Sequence, residues 1–89
     1  MKRIFDFYED EGHGWLRVPR NMLIELGIEC EISSYSYQKG EDVYLEEDRD
    51  MSIFLAATRQ KGFLLEFREH YSRCFRIRSY NPFCHEKID

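Results

Sequence analysis

The sequence predicts an α+β fold: a mostly antiparallel sheet of five to six strands with two helices packed on one face, in the order ββαββαββ. Three observations carry this. Short stretches rich in Phe, Tyr, Ile and Val recur between polar turns, two other segments space their apolar residues as a helix does and end on glycine, and aromatic residues make up 16% of the 89-residue chain. Such a chain builds one domain, residues 1–89, whose thin core leans on Phe and Tyr.

The first stretch, KRIFDFYE, is aromatic-rich and bounded by the polar turn EDEGHG, so it reads as a strand. Trp15-Leu16-Arg17-Val18 is a second strand that ends at Pro19, a residue suited to the first turn of a helix. Asn21–Leu26 followed by Gly27 gives a short helix with a left-handed C-terminal residue. Ile32–Gln38 and Val43–Glu47 flank Lys39-Gly40-Glu41-Asp42 as a hairpin, with Tyr35 and Tyr37 sharing a face. Met51, Phe54, Leu55 and Thr58 then fall on one face of a second helix, capped by Asp48 or Asp50 and closed by Lys61-Gly62. Phe63–Glu69 follows as a strand with Phe63, Leu65 and Phe67 inward, and Phe75-Arg76-Ile77-Arg78 alternates as a last one, with both arginines outward. Pro82 and the polar residues after it make 81–89 a candidate flexible tail.

The net charge of -4 argues against a general nucleic-acid binder, and its distribution is uneven. Residues 41–50 hold Glu41, Asp42, Glu46, Glu47, Asp48 and Asp50 against Arg49, whereas 59–80 hold Arg59, Lys61, Arg68, Arg73, Arg76 and Arg78 against Glu66 and Glu69. The N-terminus lacks an apolar signal core and no apolar run reaches membrane-spanning length, so the expected location is the cytoplasm. Cys30, Cys74 and Cys84 are odd in number and without a CxxC pair, which fits reduced thiols.

Glu11-Gly12-His13-Gly14-Trp15 raises the one question of catalysis. A histidine between two glycines could approach a ligand or act as a base, yet the glycines also suit a tight turn, with Trp15 covering a small core. His13 and Trp15 are therefore a turn or a ligand contact. His70, Cys74, Cys84 and His85 match no common zinc spacing, no DxDxDG run marks a calcium loop, and GxGxxG, Walker, HExxH and GxSxG patterns do not occur. No catalytic residue, metal or other cofactor is expected. Arg73, Arg76, Arg78 and Tyr80 form one candidate partner-binding surface, since arginine with tyrosine grips phosphates or acidic protein. Glu46, Glu47 and Asp50 form the other.

Three stretches, HGWLRVP, ISSYSY and VYLEED, resemble an uncharacterised family of small bacterial proteins met on chromosomes, plasmids and phages, over roughly residues 12–80. That resemblance implies a mobile-element setting and a role in host takeover or defence evasion. A shorter one covers 15–46: Val18-Pro19-Arg20, Leu26-Gly27-Ile28 and Val43-Tyr44-Leu45 are similar to AbrB-like domains, which implies a swapped-hairpin dimer acting as a DNA-binding regulator or antitoxin. The loop after Ile28 is acidic and a second helix and further strands follow, which departs from that pattern. The expectation taken forward is a non-enzymatic module, monomer or homodimer, that docks on a protein partner, in its concrete form a host defence complex. A nucleic-acid partner is the alternative and a membrane is not expected.

Overall fold

A computed structural model describes residues 2–73 and 76–84. Strands β1 (Lys2–Asp10) and β2 (His13–Pro19) form a hairpin, followed by α1 (Arg20–Glu25) and a 3-10 turn at Glu29–Glu31. A second hairpin, β3 (Tyr37–Lys39) and β4 (Asp42–Glu46), leads into α2 (Asp50–Gln60), then β5 (Leu64–Tyr71), a 3-10 turn at Arg76–Ser79 and β6 (Asn81–Pro82). The sheet runs β5-β1-β2-β4-β3-β6. All pairings are antiparallel except β1 with β5. That exception follows from α2: a helix between two strands carries the chain back to the end it started from, which permits parallel alignment.

Alternation along each strand divides the sheet into two faces. Phe5, Phe7, Leu16, Val18, Val43 and Leu45 point to the helices, where Met22, Leu23, Ile28, Ile32, Phe54 and Phe83 close the main core. Phe54 is fully buried and meets Phe5 edge-on at 5.4 Å between ring centroids. Each such side chain stabilises the fold by about 1.5–3 kcal/mol relative to exposure. The opposite face carries a smaller cluster of Trp15, Tyr44 and Ile77, flanked by Tyr8, Tyr37 and Tyr80.

Several boundaries differ from the sequence expectation, each for a local reason. Ile32–Ser36 is not strand, because Ser33 and Ser36 wrap around Asp50 before pairing begins at Tyr37. Of the expected strand 75–78, Phe75 lies outside the described residues, and Arg76–Ser79 is a 3-10 turn that inserts Ile77 into the second cluster. Arg76 and Arg78 therefore do not share a strand face. The last strand falls instead on Asn81–Pro82, where a proline is tolerated because β6 is an edge. The start of the expected tail is thus part of the fold: Phe83 is buried and its N–H donates to the Ser36 carbonyl at 2.8 Å. Residues 85–89 lie outside the described ones. On β5, Leu65 is half-buried as expected but Phe67 is 40% exposed, since the strand is the sheet's outer edge. Among the described residues no helix is long and apolar enough to cross a membrane.

Candidate functional site

A polar cleft of about 310 Å³ opens where the β1–β2 turn, the segment before β3, the β4–α2 loop and the Arg76–Ser79 turn meet. His13, Trp15, Tyr35, Tyr37, Glu46, Glu47, Asp48 and Arg78 line it, together with Gly12 and Gly14. The glycines serve different ends. Gly12 has φ +105°, a left-handed conformation that the two-residue turn between Asp10 and His13 requires. Gly14 does not need a positive φ, and what it needs is space. A Cβ there would sit 2.6 Å from Phe7 Cζ and 3.2 Å from Glu47 Cδ. Replacing Gly14 with alanine should therefore cost about 1–3 kcal/mol by overpacking. Urea denaturation of Gly14→Ala, alone and with Phe7→Leu, checks this: partial recovery in the double variant is expected.

Trp15 is 2% exposed, so it is a wall of the cleft and a core residue at once. His13 stacks on it at 5.9 Å between centroids, and the Arg78 guanidinium lies 5.7 Å from its ring centre. Arg78 Nη2 donates to Asp10 Oδ1 at 3.1 Å and to His13 Nδ1 at 2.6 Å. Because a guanidinium only donates, His13 Nδ1 must accept, which places the imidazole proton on Nε2. Asp10 is 5% exposed and is the anchor that fixes Arg78. Nothing in the sequence pattern points to it.

The acidic wall is built from the β4–α2 loop. The sequence places Glu46 on a docking surface and makes Asp48 or Asp50 the helix cap, but in the structure Glu46 itself caps α2. Its carboxylate accepts the N–H of Asp48 at 3.2 Å and that of Asp50 at 3.0 Å, and also the N–H of Arg49. Asp50 is fully buried, so it leaves the acidic surface on which the sequence places it. It accepts the Ser33 N–H and the hydroxyls of Ser33 and Ser36 at 3.1, 2.7 and 2.6 Å. With Glu46 and Asp50 occupied inside the fold, Glu47 and Asp48 are left exposed on the cleft. Neither has a side-chain ion pair among the described residues.

The arginine surface is also redistributed. Arg73 and Arg76 are exposed, Arg78 belongs to the cleft, and Tyr80 is half-buried against Tyr44 at 5.2 Å with Lys39 4.8 Å from its ring centre. Burial pushes the Tyr44 hydroxyl up to about 12, so this phenol stays uncharged through the neutral range. Further along the same face Asp6 accepts from His70 at 2.9 Å and from Arg68 at 3.0 Å. First the His70 hydrogen bond and then Arg68 hold its carboxyl below the ordinary carboxylate value. His70 is thus engaged with Asp6, while Cys74 and His85 lie outside the described residues. Among the described residues no three His, Cys, Asp or Glu side chains are placed to hold a metal ion, and Cys30 and Cys84 are free thiols.

Of the residues that stand out in the sequence, the structure brings His13, Trp15, Glu46, Glu47 and Arg78 to one cleft. It adds Asp48, and it adds Tyr35 and Tyr37, which the sequence presents only as hairpin residues. Their spacing in SSYSY is the available signal. No family model matches the chain, and no curated protein or solved structure matches it at a significant level.

Proposed function

We propose that the chain is a non-enzymatic interaction module that docks on a protein partner by taking a cationic segment of it into this cleft. The observation that carries the reading is the pairing of the exposed carboxylates of Glu47 and Asp48 with the rings of Tyr35 and Tyr37 around one opening. Aromatic faces and uncompensated carboxylates both attract a cation, and a desolvated cation over a ring is worth about 2 kcal/mol. Among the described residues the cleft's lining has no serine, cysteine or lysine, and His13 Nδ1 is already taken by Arg78. In its mobile-element form, the partner is a subunit of a host defence complex.

The charge network favours a protein over nucleic acid. Arg17, Arg20, Arg68 and Arg78 each reach a carboxylate of this chain, which neutralises cations that a phosphate backbone would use. Two of the rings on that face are also covered: His70 lies on Tyr8 at 4.9 Å, and Arg78 lies on Trp15.

Trp15 is the only tryptophan and lines the opening, so its fluorescence reports occupancy directly. Titration with arginine-rich and glutamate-rich peptides of equal length should give a response to the former only. Glu47→Lys with Asp48→Lys should weaken it by more than tenfold while the circular dichroism spectrum is unchanged. Binding of the acidic peptide, or of a single-stranded oligonucleotide in its place, would remove this reading. Reversing Arg78 is not a clean test, because a glutamate there would face the buried Asp10.

A further inference from the structure

We infer that β5 is a self-complementary edge through which two copies of this chain pair antiparallel, joining their sheets across a two-fold axis at Phe67. The inference is independent of the cleft. Among the described residues β5, eight residues long, pairs with β1 on one side only, in an unbroken register from Leu64 to Tyr71. Its open side therefore presents a row of backbone donors and acceptors without a bulge or proline to blunt it. The strand and its neighbour also expose Leu64 at 67%, Tyr71 at 64%, Ile4 at 53% and Phe67 at 40%.

Charge favours a second copy as the partner and selects among the registers that keep most of the strand paired. In an antiparallel pair related by a two-fold axis perpendicular to the sheet, directly opposite residues share a face, so only registers centred on a residue are allowed. Centring on Glu66 or Glu69 sets two carboxylates against each other, and centring on Arg68 sets two guanidinium groups together. Centring on Phe67 places Glu66 opposite Arg68 of the second copy twice over, so that each Arg68, which already bonds Asp6 of its own chain at 3.0 Å, lies between two carboxylates, and it packs the two Phe67 rings at the axis. The same register sets Tyr71 of the second copy opposite Phe63, beside a groove of about 350 Å³ lined by Leu55, Phe63 and Leu65. A strand of this order, apolar and acidic at its start with its basic residue just past the centre, complements itself better than it complements a uniformly charged edge.

Light scattering across a concentration series, down to the low micromolar range, tests this with the full chain. The unmodified protein should reach twice the monomer mass. Glu66→Arg and Arg68→Glu should each run as monomers, because each homodimer would carry two like-charge pairs; the second also sets a carboxylate beside Asp6, so the mixed sample and Glu69→Leu separate lost pairing from that local repulsion. Mixed in equal amounts they should restore the dimer mass, since the arginine introduced in one chain then faces the glutamate introduced in the other, and the remaining native Arg68 faces the remaining native Glu66. Glu69→Leu, which puts leucine opposite Leu65, should tighten the dimer by about tenfold and gives a reading that does not depend on a charge variant folding. A chain that remains monomeric at high micromolar concentration overturns the inference. So does a dimer that survives Glu66→Arg, because β5 is then not its interface.

Discussion

Replacing Asp50 with alanine should lower stability by about 3–5 kcal/mol, the usual cost of breaking a buried charged network by removing one member. The carboxylate is fully buried and accepts from Ser33 and Ser36, and Arg49 Nη1 pairs with it at 3.0 Å. Without it, the hydroxyls and the Ser33 N–H lose their acceptor in a site that water does not readily fill. Ser36 matters twice, because its Oγ also accepts the Glu46 N–H at 2.9 Å and so ties the same network to β4. For a domain of this length, that loss corresponds to a fall in Tm of about 15–25 °C. A thermal melt with a double-mutant cycle against Ser33→Ala checks both size and mechanism. The two changes should be strongly non-additive, since the second removes a donor that the first has already stranded. Additive effects would mean that Asp50 acts by volume alone.

Arg20→Ala should be nearly as severe, at about 3–5 kcal/mol, for a different geometric reason. Its side chain is 5% exposed and fans out between elements distant in sequence: Glu29 Oε2 at 2.7 Å, the Cys84 carbonyl at 3.0 Å, and the Gln38 amide oxygen. It also lies over the Phe83 ring at 4.8 Å. The guanidinium is what holds the C-terminal segment against β3 and the turn after α1. Urea denaturation gives the stability loss, and hydrogen exchange locates it: protection should fall first at Phe83 and Cys84, whose amides donate to Ser36 and Gln38. Lysine should recover little, because one ammonium cannot reach three acceptors in a planar fan.

These two residues also mark where the sequence stops being legible. Elements with a local signature are readable: Gly27 and Gly62 close the helices, Gly40 turns the second hairpin, and Phe54 and Thr58 lie on the buried stripe of α2. Each depends on residues a few positions apart. Asp50 and Arg20 carry charges that propensity assigns to the surface, and they are buried only because partners 17 and 64 residues away converge on them. The 76–79 turn departs from expectation because Arg76-Ile77-Arg78 alternates as a strand does, while tertiary packing uses a single apolar residue of it, Ile77. The candidate cleft is half legible. His13, Trp15, Glu47 and Arg78 stand out by type, but their meeting is a product of β2 pairing with the end of β4, where Glu47 N–H donates to the Gly14 carbonyl at 3.0 Å.

The claim that this cleft docks a protein is tested most directly by affinity capture. The tagged chain and its Glu47→Lys, Asp48→Lys variant are compared in host lysate, each with and without nuclease, and the recovered species are identified by mass spectrometry. The expected result is a stoichiometric protein that survives nuclease with the parent chain and is lost with the variant. Recovery of nucleic acid, with all co-purifying protein lost on nuclease treatment, would contradict the claim, as would a protein partner retained equally by both chains.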